Sequence, residues 1–500
     1  MAISIRDLSF TFPDRLLPAL RNVSLEVAQG EFVVITGPSG SGKSALALAL
    51  AGYIPHGFDG TMTGEVRVCG TSTTETPLCD LSVTVSLCRQ DPESQMCTLA
   101  VEDEVRFGPE NLALPVAEVL RREEDSLAAI DCLHLLGRET PSLSGGEKQR
   151  VAIASMLAMN PRVLILDEPT SNLDPDAARE VLSAIEKLRQ TRNITLVVIE
   201  HRLFPFLPMA DRMIVMKEGE IRLSGNPEEV YRDYVAMLNN DCAPLFAQQS
   251  LPNRETSAPG PVVLEVCDLS FKRGELEVLR SLSLEVRQGE FIGIIGANGS
   301  GKTTFLECLA GLNQPGSGDI EVCGANTKRV KVSTLARDIG FVFQNPNHQI
   351  FENTVGAEVT FAASNFGLDP EIAASRAQRV LSQFGLESYE NFHPLRLSHG
   401  EKRRLNLCSV LPHEPGIIIL DEPFIGQDSY NAARIMAAVL RLQQSGHTVL
   451  AVSHDIDLVF RYCTRILLFD AGRILVDDVP ERARLQILEL GKNSFLPDFS

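Results

Sequence analysis

The sequence predicts an α/β protein built twice over, as two domains that each carry a mostly parallel sheet covered by helices. Three observations carry that reading. First, long stretches repeat: "NVSLEVAQGEFVVITGPSGSGKS" at 22–44 answers to "SLSLEVRQGEFIGIIGANGSGKT" at 281–303, and Gln90, Arg150 and Asp174 meet Gln344, Arg404 and Asp428, each 254 residues on. Second, short β-branched runs such as "FVVIT", "VLILD" and "LVVIE" alternate with helix-like segments. Third, each copy holds a glycine-rich loop between an apolar strand and a helix-like run.

A chain of 500 residues is too long for one compact core and suits two domains. The first is expected over 1–240 and the second over 262–500. Between them, "DCAPLFAQQSLPNRETSAPGP" at 241–261 is rich in Pro, Ser, Gln and Asn without an apolar period, which reads as a linker.

Charged residues at 22% and apolar ones at 44% are ordinary globular values. A net charge of −19 with few aromatics argues against a nucleic-acid ligand. No run approaches the ~18 uninterrupted apolar residues of a membrane helix, and "MAISIRDLSF" lacks the regions of a signal peptide. The expected compartment is the cytosol, with any membrane link made through partners. The 11 cysteines show no C-x-x-C or zinc spacing and read as small core residues of a reducing compartment.

"GPSGSGKS" comprises Gly37, Pro38, Ser39, Gly40, Ser41, Gly42, Lys43 and Ser44, and "GANGSGKT" comprises Gly296, Ala297, Asn298, Gly299, Ser300, Gly301, Lys302 and Thr303. Both fit G-x-x-x-x-G-K-[ST]. Glycines at these places permit a tight nest of N–H groups at a helix start, suited to phosphate oxygens. Lys43 and Lys302 would reach the β- and γ-phosphates of ATP, and Ser44 and Thr303 would offer a hydroxyl to Mg²⁺. Further along, "LILDE" and "IILDE" end strands in Asp167-Glu168 and Asp421-Glu422. Two acids at a strand end are usually only solvated, but about 120 residues after such a loop the Asp suits Mg²⁺ and the Glu suits the attacking water.

"LSGGEKQR" places Ser144, Gly145 and Gly146 at the start of a helix-like run, and "LSHGEKRR" places Ser398, His399 and Gly400 there in the second copy. With these motifs in order, the chain resembles the ATP-binding cassette family over essentially everything outside the linker. The resemblance implies two P-loop ATPase domains, each with a mostly parallel sheet, an antiparallel β part and a helical subdomain. It implies head-to-tail pairing, in which Ser398, His399 and Gly400 serve the nucleotide on Lys43, and Ser144, Gly145 and Gly146 serve that on Lys302. Gln90 and Gln344 match the family's Q-loop glutamine, which meets γ-phosphate and Mg²⁺, and His201 and His454 match its switch histidine. Asp174 and Asp428 match the D-loop aspartate. Phe12 matches the aromatic that stacks on adenine, where the second copy has Arg273. His399 and "PFIGQD" are further departures of the second copy, so the two sites are expected to differ.

The segment "RQDPESQMCTLAVEDEV" at 89–105 recurs as "FQNPNHQIFENTVGAEV" at 343–359. Q-[DN]-P-x-x-Q followed by "FGPENL", with "IEHRL" later, is similar to the ATPases of energy-coupling factor importers, which take up vitamins and transition-metal ions. That likeness implies a transmembrane scaffold subunit, a substrate-binding membrane subunit, and a peripheral place on the cytoplasmic face of the membrane. Asp91, Glu93, Glu102, Asp103 and Glu104 are expected to line an acidic groove for basic coupling helices, with Gln95 also facing that partner. The fused ATPase of a binding-protein-dependent sugar importer shares the motif order but not this segment. A ribosome-associated twin-cassette translation factor is the alternative from another class, and the short, weakly charged linker argues against it.

Overall fold

A computed structural model of the chain describes residues 1–13, 17–171, 173–191, 193–246 and 260–497. It divides into two compact units, Met1–Asp241 and Cys242–Ser500. The helix Pro227–Phe246 runs six residues into the segment expected as linker, and the division between the units falls at Asp241, the first residue of that segment. Residues 247–259 of that segment lie outside the described residues.

In the first unit a six-stranded sheet takes the order Glu220–Gly225, Arg212–Lys217, Phe32–Thr36, Thr195–Ile199, Val163–Asp167, Val85–Cys88. Its pairings are parallel except at the Glu220–Gly225 edge. The strands Phe32–Thr36 and Thr195–Ile199 are buried at every position, as near-continuous Val/Ile runs covered on both faces require. Alternation sorts their side chains between two cores. Val33, Ile35, Ile165 and Val197 pack toward a four-stranded antiparallel sheet, while Val34, Leu164, Leu166 and Val198 pack toward the helices. The helices Val101–Asn111, Val116–Ala129 and Gly145–Ala158 pack on one another as the helical part of the unit.

The second unit repeats this plan. Its six-stranded sheet runs Arg473–Asp478, Arg465–Asp470, Phe291–Gly296, Thr448–Val452, Ile417–Asp421, Ile339–Val342, beside a four-stranded antiparallel sheet. Both units thus have the expected α/β class, each with a mostly parallel sheet and an antiparallel β part. No helix among the described residues is long and apolar enough to cross a membrane.

Candidate functional site

Topology gathers the expected site residues before any side-chain detail is considered. Four neighbouring parallel strands end on one side of each sheet, where ligands of such folds bind. The loop 37–44 follows Phe32–Thr36, Glu168 follows Val163–Asp167, His201 lies just beyond Thr195–Ile199, and Gln90 lies just beyond Val85–Cys88.

The glycine loop needs glycine for two separate reasons. Gly42 has φ +98°, and a Cβ there would sit 2.4 Å from the carbonyl oxygen of Ala19. The loop leads directly into the helix Lys43–Leu50, and its partner 296–303 into Lys302–Leu309. Lys43 Nζ donates to the carbonyls of Gly37 (2.7 Å) and Pro38 (2.9 Å), and Lys302 Nζ to those of Gly296 and Ala297 (both 2.8 Å). Each ammonium is therefore held at its loop. Ser39 and Gly40 are exposed on the first loop, and Asn298 and Gly299 on the second, while Ser41 and Ser300 are buried.

Ser44 hydrogen-bonds Asp167, and Thr303 Oγ1 donates to Asp421 Oδ2 at 2.9 Å. The remaining oxygen of each aspartate, Oδ1, is buried without a hydrogen-bond partner. A buried carboxylate oxygen left without a donor, beside a hydroxyl, fits an oxygen-seeking cation such as Mg²⁺. Burial, and then the adjacent Glu168, push Asp167 up to about 6; burial and Glu422 push Asp421 up to about 7.

The sign of the resulting pH dependence follows from those shifts. Each carboxyl binds its proton more tightly folded than unfolded, so its contribution to stability is present at low pH. That contribution is lost as pH rises through about 6 for Asp167 and about 7 for Asp421. Replacing both by asparagine is expected to raise the melting temperature of the nucleotide-free chain by several degrees at pH 8 and to change it little at pH 4. Melting curves at the two pH values test this, and an equal difference at both would remove ionisation as its cause.

Glu168 and Glu422 both adopt positive φ, +50° and +53°. For a non-glycine residue that conformation costs on the order of 1 kcal/mol, and its recurrence in both copies marks a turn that aims the side chain. Glu168 Oε2 accepts from Gln90 Nε2 at 2.6 Å, and Oε1 lies 3.3 Å from His201 Nε2. The first unit thus joins three expected site residues in one cluster.

The second unit joins only two of them. His454 Nε2 lies 3.1 Å from Glu422 Oε1, and the His454 N–H donates to Oε2 at 3.1 Å, while Gln344 is exposed. Sequence reasoning missed Arg403, which stands where the first unit has Gln149. It is buried, and its Nη1 donates to the Glu422 carbonyl at 2.5 Å. Burial lowers its pKa to about 10 against the pull of Glu422 and Asp421. The signal was the Gln-to-Arg difference between "EKQR" and "EKRR".

Ser144 and Ser398 each begin a helix, Gly145–Ala158 and His399–Val410, in a reciprocal capping box with Glu147 and Glu401. Gly146 and Gly400 are buried in the first turns, and Gly145 is half-buried. The His399 side chain lies outside the described residues. Phe12 is half-buried, edge-on to Phe10 (4.8 Å) and Phe58 (6.5 Å), whereas Arg273 is exposed near Glu307. Asp174 and Asp428 are buried, and their Oδ1 atoms accept from the Ala177 and Asn431 N–H groups.

The five carboxylates expected to line an acidic groove do not all face outward: Asp91, Glu93 and Asp103 are exposed, and Glu102 is half-buried. Glu104 is buried, and its Oε2 accepts from the Cys97 and Thr98 N–H groups (both 2.9 Å) and the Thr98 hydroxyl (3.0 Å). Glu358 repeats this with the N–H groups of Phe351 (3.0 Å) and Glu352 (2.8 Å). Glu102 accepts from the Gly137 N–H, and Glu93 pairs with Lys148. Gln95 also turns inward, accepting from the Arg89 N–H and donating to the Leu87 carbonyl. Its counterpart Gln349 donates to the Asn406 carbonyl and the Ser409 hydroxyl. The repeated polar residues pin the loop, and apolar groups face outward: a groove of about 390 Å³ in the first unit includes Phe107, Met156 and Met159. In the second unit the exposed Phe351 and Phe361 meet edge-on at 4.5 Å.

A family model described as ABC transporter matches residues 20–171 and again 279–425. A protein of Methanosarcina mazei, provisionally named an ABC transporter ATP-binding protein, is 34% identical, covering 99% of this chain and 92% of its own length. A Bacillus subtilis protein, YkoD, provisionally named an HMP/thiamine import ATP-binding protein, is 35% identical over 96% of this chain and 90% of its own. The solved structure of RNase-L Inhibitor matches with a TM-score of 0.66 at 21% identity, covering 97% of this chain and 93% of that one, a likeness of fold.

Proposed function

The chain belongs to the ABC transporter family of ATPases, and from that premise we propose that it is the energy-coupling subunit of an energy-coupling factor importer for a vitamin or a transition-metal ion. ATPases of this family bind ATP with Mg²⁺. The observation that carries the finer reading is the segment after Gln90 and Gln344. In both units a glutamine and a glutamate lock it from within, and it borders outward apolar side chains. A pseudo-symmetric transmembrane scaffold needs two such sockets, and apolar contact suits a coupling helix. The B. subtilis relative, whose provisional name specifies HMP/thiamine import, supports a vitamin as solute.

In this reading the N–H groups of the two glycine loops, with Lys43 and Lys302, hold the β- and γ-phosphates of ATP. Ser44 with Asp167, and Thr303 with Asp421, would hold Mg²⁺, which when bound would supply positive charge to the phosphate oxygens. Glu168 and Glu422 orient and polarise the attacking water as hydrogen-bond acceptors. His201 and His454 stand beside those carboxylates to meet the γ-phosphate. Gln90 links the first centre to the loop at the socket, so occupancy of one is felt at the other.

The test is purification of the full chain from membranes and from ribosomes. Co-purification with a transmembrane scaffold and a small substrate-binding membrane protein is expected. Phe107→Asp should weaken that assembly by about tenfold or more while leaving hydrolysis by the isolated chain within about twofold. Sedimentation with ribosomes and no membrane partner would overturn the importer reading.

A further inference from the structure

A buried acid that the mechanism above does not use stands immediately before His201. Glu200 is 1% exposed at the end of Thr195–Ile199. Its Oε1 accepts from the Thr170 N–H at 3.1 Å and the Thr170 hydroxyl at 2.5 Å; its Oε2 accepts from the N–H groups of His201 (2.9 Å) and Arg202 (3.3 Å). Thr170, also buried, lies two residues after Glu168 in the turn that leaves the neighbouring strand. One carboxylate therefore ties the switch-histidine turn to the turn that carries Glu168.

The second unit supplies the comparison. Ser453 and Phe424 occupy the places of Glu200 and Thr170, so no such tie exists there. Instead the His454 N–H donates to Oε2 of Glu422 itself. In the first unit Glu200 takes that N–H, while Glu168 Oε2 accepts from the Gln90 side chain and Oε1 faces the His201 ring.

We propose that Glu200 is a positioning residue of the first ATPase centre. It caps the His201 turn and ties it to the turn that carries Glu168, so that Glu168 and His201 are held in register with each other and with Gln90. Four donors converge on two oxygens, so a carboxamide cannot replace the carboxylate: its NH₂ would face either Thr170 or the His201 and Arg202 N–H groups. Burial pushes the Glu200 carboxyl up, the Thr170 hydrogen bond pulls it back, and the nearby Glu168 adds to the push, consistent with a group held tightly beside the centre. A carboxylate serving stability alone would give the same burial, but it would show no energetic coupling to His201.

The proposal rests on the switch assignment of His201, not on the importer reading. The experiment is single-turnover ATP cleavage by the full chain carrying Glu422→Gln, so that cleavage reports the first unit. Glu200→Gln, His201→Ala and their combination are compared at saturating and at limiting ATP. Glu200→Gln should slow cleavage at saturating ATP by about tenfold, with half-saturation moved less than about threefold, as expected for one lost hydrogen-bonded contact that matters in the transition state. In the His201→Ala background the same change should cost less than about twofold, since coupled residues are not additive. Thr170→Ser keeps the hydroxyl and should hold the wild-type rate; Thr170→Val removes it and should lose about threefold, which keeps the test open if Glu200→Gln folds poorly. Losses that multiply with His201→Ala, or unchanged cleavage in both Glu200→Gln and Thr170→Val, overturn the proposal. Wild-type cleavage by His201→Ala overturns the switch assignment and the proposal with it.

Discussion

Glu168→Gln combined with Glu422→Gln is expected to lower steady-state ATP hydrolysis by at least about a hundredfold, the scale of a lost general base. Each glutamate leaves the C-terminal end of a parallel strand in a left-handed turn, and its N–H donates to the neighbouring strand, to Ile199 or to Val452. Those turns point the carboxylates toward Gln90 and His201 in one unit and toward His454 in the other. Glutamine keeps the shape and one acceptor oxygen but cannot hold the charge that polarises water. Lys43, Lys302 and the two glycine loops are untouched, so equilibrium ATP binding should stay within about threefold of wild type. Nucleotide retention after gel filtration and phosphate release together check this. Turnover within a few-fold of wild type would take both glutamates out of the mechanism.

The legible part of this protein is the part that backbone rules dictate. The glycine loops, the two Asp-Glu pairs and the two histidines were each placed by a strand before them and a helix or turn after them, and strands of one parallel sheet deliver their ends to one side. What stayed hidden was which atoms side chains satisfy. An acid run such as "VEDEV" looks like a charged face, yet helical geometry turns Glu104 inward onto two N–H groups and leaves Asp103 outside. Glu200 looked like part of a motif's spelling, and its four donors come from segments up to 30 residues away. The helical start of the linker segment has a similar cause. "DCAPLF" carries no apolar period, but it continues a helix already anchored by Val230 and Tyr234 in the core, and a helix propagates more easily than it starts.

Within one chain the duplication also works as an internal control. Where both copies keep a residue and its contact, as with Glu104 and Glu358, the contact belongs to the fold that both need. Where the copies diverge at the same place, as with Gln149 and Arg403 or Glu200 and Ser453, the difference falls beside Glu422 in one unit and beside His201 in the other. The surroundings of the two glutamates and their neighbouring histidines therefore differ in charge. One gains a buried carboxylate and the other a buried guanidinium, and such groups alter electrostatics in a poorly solvated site.

Glu104→Ala should destabilise the first unit by about 2–4 kcal/mol, since it removes a buried carboxylate that accepts from two partly buried N–H groups and a hydroxyl. The oxygen concerned accepts from Cys97 and Thr98, which close the loop that begins at Gln90, so the loss falls on the segment that leads to the Gln90–Glu168 contact. ATP turnover should decline along with stability, because Gln90 loses its fixed approach to Glu168. Glu102→Ala, two residues earlier on the same helix, is the contrast. That side chain is nearer the surface and accepts one N–H, from Gly137, so its loss should cost under about 1 kcal/mol. Glu358→Ala should reproduce the large effect in the second unit, where the Phe351 and Glu352 N–H groups lose their acceptor. Thermal unfolding of the three variants measures this, with each unit followed as its own transition because a two-unit chain need not unfold in one step. Equal melting for Glu104→Ala and Glu102→Ala would mean that the buried carboxylate does not hold the loop, and the outward acidic face expected from sequence would regain its claim.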